Sequence, residues 1–523
     1  MTMPASAVSE APSPTPSAAG RPGPTPGVAA LARKASIIWP PATLVAALGT
    51  WTCFDATPGL NWALWSCAAA LGLAWVVHRS RGRIGLPVGV ALALACALAS
   101  CMAVTADFDF APIIMMGVAV LLSLGVALAE GVPLQSIGPI AFVVTPVACA
   151  ARSIREAALR LAELASLPGS GSERAQARVR GVLLAIPVVG VLALLLSGAD
   201  PVLARLRDEV IALGNDGMLV PRLVFFLGLG ALTVGAYGIS IRRSTNAPAR
   251  PAESRRTLGE TERFVVLASV SALFALFLGL QVSYFFGNVA GLAGSGVTYA
   301  EYARKGFGEI TVAATAATLL IVFLDHHAAR SDTEARTRVA GLVLIFLVQL
   351  LLDSAYHRVA LYESAYGYTA ARLYARVYMI IVSLALMALG IEIWTAIDAK
   401  RLARRVALMG AVAVIGLCVW NHEAWIARKN IDAYTATRFS RLDTEYLLGL
   451  SPNAVPEIVS ALPRLPQADR DSLYSRLVAT YVGGLPPRTH WYEWNLRAAA
   501  AERALASIGI TSERARPTAA EKN

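Results

Sequence analysis

Long apolar runs recur between Ile37 and Trp420, and the short gaps between them alternate between arginine-rich and almost arginine-free. Runs such as Phe264–Phe286 and Val377–Trp394 reach or approach the roughly 20 residues that carry a helix across a hydrocarbon core. A backbone surrounded by lipid must satisfy its own hydrogen bonds, which selects helices. Basic side chains resist translocation, so gaps that alternate in arginine content are gaps on alternate sides of one bilayer. The pattern predicts an all-α, polytopic membrane chain.

Composition agrees with that class. Hydrophobic residues make up 56% of the chain and charged residues 15%, against about 25% charged in soluble domains. The formal charge of +11 is spread between the spans instead of forming one basic domain, which argues against nucleic acid as a partner. The six cysteines lie in or beside apolar runs, where packing is expected and a disulfide framework is not. No Cys/His set has zinc spacing, and His422-Glu423 is followed by no histidine at protease spacing. No nucleophile elbow, P-loop or dinucleotide fingerprint occurs. No cofactor, metal or catalytic residue is therefore predicted.

Eleven spans are predicted: Ile37–Phe54, Leu60–Val77, Ile84–Val104, Phe110–Ala129, Gly181–Ser197, Leu223–Ile241, Phe264–Phe286, Phe307–Leu324, Val339–Leu352, Val377–Trp394 and Val406–Trp420. Pro40, Pro41 and Pro87 are placed near helix starts, where a missing amide hydrogen does least harm. The gaps holding Arg79–Arg83, Arg152–Arg180, Arg242–Arg256, Arg330–Arg338 and Lys400–Arg405 are assigned to the cytoplasm, and the alternate gaps face outward. Gly131–Ala150, broken by Pro133, Gly138, Pro139 and Pro146, is read as an interfacial or re-entrant piece, because a crossing there would break the charge bias. Arg152–Leu167 is read as a helix lying on the inner surface.

The organisation that follows has a Pro/Ala-rich leader over 1–33 without a stable fold, N-terminal membrane helices with a basic cytoplasmic segment over 34–180, a core transmembrane domain over 181–420, and a small helical C-terminal domain over 421–523. The arginine bias puts the N-terminus in the cytoplasm, and the odd number of spans then puts the C-terminal domain outside the cell. Helical patterns in that domain fall at Asn421–Phe439, Asp443–Leu450, Asn453–Leu462, Gln467–Tyr481 and His490–Ile508, with helix-start signals at Asp443 and Ser451-Pro452-Asn453.

Polar residues are densest at the outer ends of the later spans. Glu301, Lys305 and Glu309 are each four apart and share a helix face. An ionisable group as deep as Glu309 is costly in lipid and is expected to face a protein interior or a wet cavity. Between the ninth and tenth spans, Asp353 and His357 are one turn apart, as are Tyr362 and Tyr366, and Arg358, Glu363 and Arg372 crowd the same segment. Tyrosines at a membrane boundary form an interface belt, which leaves the charged groups unexplained. An outward-facing pocket lined by Glu301, Arg304, Lys305, Glu309, Asp353, His357, Arg358, Glu363, Tyr366 and Arg372 is the candidate ligand site. Gln281 and Gln349 are expected to bond between helices, Glu392 to answer Lys400 or Arg401, and Gly228, Gly230, Gly235 and Gly238 to permit close helix packing.

The stretches Tyr299–Phe307 and Leu361–Thr369, followed by Arg372-Leu373-Tyr374, resemble a bacterial polytopic membrane family known as domain of unknown function 4173, or its sibling 4153. Ser197–Val202, Asn421–Asn430 and Leu442–Leu447 are similar to other shared stretches. The likeness covers about 181–462 and leaves the first four spans without support. It implies a bacterial inner-membrane protein whose recurring polar residues include Glu301, Arg304, Glu363, Tyr366 and Arg372, and it brings no known activity.

Two function classes compete. The first is a non-enzymatic membrane protein, either an envelope sensor or assembly factor or a solute permease, whose partners are the bilayer and an envelope protein or small ligand on the outer face. The second is a membrane-embedded transferase or hydrolase acting on a lipid-linked or phosphate-bearing substrate, with Glu301, Asp353 or His357 as base and Arg358 or Arg372 holding phosphate. Convergence of carboxylate, histidine and arginine tips in one cavity would favour the enzyme, and local pairing a scaffold.

Overall fold

A computed structural model describes residues 26–107, 109–164, 189, 218–242, 258–286, 307–328, 335–395, 397–436, 441–481, 485 and 488–511. All regular structure among them is helical. The longer helices are α1 (Pro26–Cys53), α2 (Leu60–Arg81), α3 (Leu86–Val104), α4 (Ala111–Glu130), α5 (Pro139–Leu164), α6 (Leu219–Ile241), α7 (Glu260–Phe286), α8 (Phe307–His326), α9 (Ala335–Tyr366), α10 (Ala370–Thr395) and α11 (Ala399–Trp420). Five shorter ones follow: α12 (His422–Thr435), α13 (Thr444–Gly449), α14 (Val455–Ala461), α15 (Gln467–Thr480) and α16 (Leu496–Ser507). Nine helices among the described residues, α2 to α4 and α6 to α11, are long and apolar enough to cross a membrane. Their outward faces carry large apolar side chains, such as Leu71 at 68% exposure and Ile391 at 69%. A water-facing surface would not tolerate that density, whereas lipid does.

Helices α1 to α4 and α6 share one apolar core, centred on Ile38, Leu73, Val126 and Tyr237, to which α5 adds Ala157. Helices α7 to α10 share a second around Leu344, Val348, Leu386 and Leu389, joined by Leu402 of α11. Close approach is needed between α5 and α6: a methyl group at Gly235 would collide with the Ser153 carbonyl, and one at Gly238 with Glu156. Small residues let two such backbones touch.

Several expectations change. Pro40 and Pro41 lie inside α1, which already begins at Pro26, so the last residues of the expected leader are helical. The segment expected to be broken at Pro146 is one helix, α5, running through that proline from Pro139 to Leu164. Its first half is apolar and exposed at Ile140, Val143 and Val147, and its second half buries Ser153, Glu156 and Arg160. The ninth span does not stop at Leu352. Helix α9 runs on to Tyr366, leaving Gly367–Thr369 as the whole turn into α10. No proline or glycine lies between Asp353 and Tyr366, so the helix continues until Gly367, whose φ of 81° ends it. The expected span Gly181–Ser197 apart from Val189, the expected surface helix beyond Leu164, and most of Asp200–Arg222 fall outside the described residues.

The helix ends form two faces. One, the basic face, is tied by ion pairs between acids and arginines: Glu130 with Arg152 at 2.5 Å, Glu156 with Arg160 at 2.8 Å and Arg242 at 2.6 Å, Glu392 with Arg405 at 2.8 Å, and Arg263 with Asp325 at 3.8 Å. Over the opposite face sit α12 to α16. Their apolar core, including Ile431, Leu447, Ile458, Leu473 and Leu505, is continuous with Leu98 and Met102 of α3, Ile114 of α4 and Leu417 of α11. These helices form a cap seated on the span ends.

Candidate functional site

The candidate residues divide by where the fold places them. Glu301, Arg304 and Lys305 lie outside the described residues. Glu309 is exposed in the first turn of α8, and Asp353 and His357 are exposed along α9. Arg358 and Glu363, on the cap-side part of α9, are 6% and 2% exposed.

Three candidates, Glu363, Tyr366 and Arg372, are gathered at the α9–α10 turn. Glu363 pairs with Arg376 of α10 at 2.5 Å, and the Arg376 guanidinium lies 4.8 Å from the centre of the Tyr356 ring. Arg372 lies 4.3 Å from the centre of the Tyr362 ring, which packs on Tyr366 at 4.8 Å. The Arg372 guanidinium also donates to the carbonyls of Gly367 and Tyr366. Gly367 has φ of 81°, which favours glycine and turns those carbonyls toward the arginine. Arg372 thus closes the C-terminus of α9, where a helix leaves carbonyls without partners and favours a cation. Asn430 of α12 finishes the turn: its amide accepts from the Tyr368 N–H at 2.7 Å and donates to the Tyr368 carbonyl at 2.8 Å. The Tyr446 hydroxyl accepts from the Ala370 N–H at 2.8 Å.

Beneath the cap lies a second polar cluster, which residue spacing did not single out. Asn453, 1% exposed, accepts from the Ala106 N–H at 2.8 Å and donates to Thr105 Oγ1 at 3.0 Å and Glu423 Oε2 at 2.8 Å. Glu423 also accepts from the backbone and hydroxyl of Ser451. Asn495, 2% exposed, donates to the carbonyls of Met102 at 2.9 Å and Thr105 at 2.5 Å, while its oxygen caps α16. Arg497 reaches the Val419 carbonyl at 2.9 Å. His422 is hydrogen-bonded to the Tyr374 hydroxyl at 2.8 Å and lies against Phe110. Asp107 accepts from the N–H groups of Asp109 and Phe110. Burial, and then the nearby Glu423 carboxylate, push the Asp107 carboxyl above its ordinary range. Burial also lowers the Arg497 guanidinium.

In the sequence, Ser451-Pro452-Asn453 marks a helix start and Glu423 falls in the family-like stretch Asn421–Asn430, but neither signal reports that the two meet. Asparagine offers two donors and one acceptor without charge, so it can complete buried turns that lack a helical partner.

Elsewhere, Gln349 of α9 contacts Ser383 of α10, as expected of an interhelical bond, and Glu392 meets both Arg405 and Arg401. Two cavities lie away from the charged groups at the α9–α10 turn. One of about 270 Å³ lies among Trp62, Trp65, Met102, Ile114 and Val118, and one of about 530 Å³ among Phe264, Ala268, Ser271, Arg336 and Val339. Among the described residues no group of three His, Cys, Asp or Glu side chains has the arrangement of a metal site.

No curated protein and no solved structure matches the chain. The family described as Domain of unknown function (DUF4153) matches residues 66–461. That match reaches back through α2, α3 and α4, further than the resemblance read from 181 onward, and it takes in the α9–α10 turn together with Glu423 and Asn453. A match over more than half of the chain settles the assignment: this multi-pass helical protein belongs to the DUF4153 family.

Proposed function

We propose that the chain is an inner-membrane protein of eleven spans whose N-terminus is cytoplasmic and whose cap stands outside the cell, and that it acts as an envelope-facing sensing or assembly factor. One observation carries the reading. The charged groups at the α9–α10 turn are engaged locally, Glu363 with Arg376 and Arg372 with the turn carbonyls, and the cap is fastened to the same span ends. Groups committed to holding a turn suit a scaffold that presents a surface. The basic face supports the orientation, because its arginines gather at the ends opposite the cap.

Complementation tests this. In a strain lacking the chain, Glu309→Gln is expected to restore the lost phenotype, and Asn453→Leu, which unfastens the cap, is expected to fail at equal membrane abundance. The reverse pattern is that of a permease working through Glu309 and would overturn the proposal. A membrane-impermeant thiol reagent should reach Tyr474→Cys in intact cells and Arg336→Cys only after permeabilisation.

A further inference from the structure

The cap segment 488–496 is clasped to the turn between α1 and α2. The Leu60 N–H, at the start of α2, donates to the Trp494 carbonyl at 2.9 Å, and Thr57 donates to Glu493 at 3.2 Å. The approach is tight: a Cβ on Gly59 would lie 2.6 Å from the Glu493 carbonyl oxygen. Glu493 is 2% exposed and also accepts from the Thr489 N–H. The segment is therefore fixed at the level where the first two helices leave the apolar zone.

Tyr492 is buried against α1, but three other large side chains of the segment stay exposed. Trp491 is 63% exposed, Trp494 44% and Leu496 46%. Trp491 connects to α1 through Tyr492: its ring meets Tyr492 at 5.8 Å, and Tyr492 meets edge-on, at 5.7 Å, the ring of Trp51, which is 61% exposed in the last turn of α1. Exposed indoles in water are a large unrealised burial. At the height of span ends they match the aromatic belt that membrane helices place at the lipid headgroups, where an apolar ring and a polar N–H are both satisfied.

We infer that Trp491, Trp494 and Leu496 sit in the headgroup region of the cap-side leaflet, so that the cap rests on phospholipid at the glycerol and ester level and extends the aromatic belt begun by Trp51. This rests on the membrane reading above. Continuity with the end of α1 selects lipid over a protein partner: whatever surrounds the exposed flank of α1, such as Leu44 at 69%, must also meet Trp51 and its neighbours.

The test uses the full chain in phospholipid bilayers, with a nitroxide on Trp491→Cys and, separately, on Trp494→Cys and Leu44→Cys. Signal from protein lacking the introduced cysteine is subtracted. Oxygen collisions should exceed those of a water-soluble nickel chelate at 491 and 494, with Leu44→Cys reading deeper still. Chelate collisions dominating at both cap positions while Leu44→Cys stays lipid-like would overturn the inference alone. Exclusion of both probes would mean that a protein surface or a second copy covers the patch, and would equally overturn it. A water-accessible Leu44→Cys would sink the membrane reading beneath it.

Discussion

The two ends of the helix bundle are held by different chemistry. At the basic face, arginines reach acids across helix ends, and most of those arginines keep access to solvent: Arg152, Arg242 and Arg405 are each at least 42% exposed against carboxylates that are 12% exposed or less. At the cap face the work falls to uncharged amides, with Asn61, Asn453 and Asn495 all at 2% exposure or less and bonded to backbone groups of turns. A charge pair tolerates changes in distance and angle, because Coulomb attraction falls off slowly. An amide bonded to several backbone groups does not, because each bond fails steeply with geometry. The basic face is a tolerant junction, and the cap face is a registered one.

The largest effect is expected from removing the amide at the centre of the registered face. Asn453→Leu leaves the Ala106 N–H and the Glu423 carboxylate with lost partners, and unmet buried groups of this kind cost about 1–3 kcal/mol each. Limited proteolysis should then cut within α12 to α16 at temperatures where the parent resists, and a cap that stayed equally resistant would remove the distinction between the faces.

Next comes Glu363→Gln, at the charge pair on the cap side. Breaking a buried pair costs about 3–5 kcal/mol, and the partial exposure of Arg376 should bring the loss to the lower end or below. Thermal unfolding in detergent checks it. A loss as large as that from Asn453→Leu would show that charge can do the work of register.

A smaller effect is expected from pH. The folded value of Asp107 is raised, so its carboxyl lends stability that is complete below the ordinary 3.8 and is lost as pH rises through the raised value. The cap should accordingly become easier to release across that window, and Asp107→Asn should flatten the profile. Smallest is Arg405→Ala: with 42% of that side chain exposed and Arg401 still beside Glu392, about 1 kcal/mol or less is expected, shrinking further in high salt. A salt-insensitive loss would mean that this pair is as tightly registered as the cap.

The sequence made the bundle legible because lipid imposes a length and a side preference that show in any window of residues. Val377–Trp394 and Leu60–Val77 fall within α10 and α2, and the tail patterns at Asp443–Leu450 and Gln467–Tyr481 correspond to α13 and α15. Elsewhere packing outweighs the local rule. Pro146 predicts a break, yet α5 passes through it while docking on Gly235 and Gly238 of α6. The polarity of Asp353–Tyr366 places the end of the ninth span at Leu352, whereas polarity there marks only the depth at which one continuous helix leaves lipid. The Tyr362–Tyr366 contact followed from spacing along one helix. The Glu363–Arg376 pair did not, because it crosses the Gly367–Thr369 turn from one helix to the next, and the amides under the cap did not, because Asn453 meets Thr105 across 348 positions of chain, a range that no periodicity reports.

Between Trp420 and His422 there is a single residue, Asn421, with φ of 59°, which ends α11 and also caps α12 through its side chain. One such joint contains no slack. Helix α11 is gripped near its other end by Glu392 through Arg405 and by the Leu134 carbonyl through Arg404, so it is a strut joining opposite surfaces of the bundle. Any tilt or twist imposed at the arginine end is delivered to the cap as rigid displacement, with no coil in between to dissipate it.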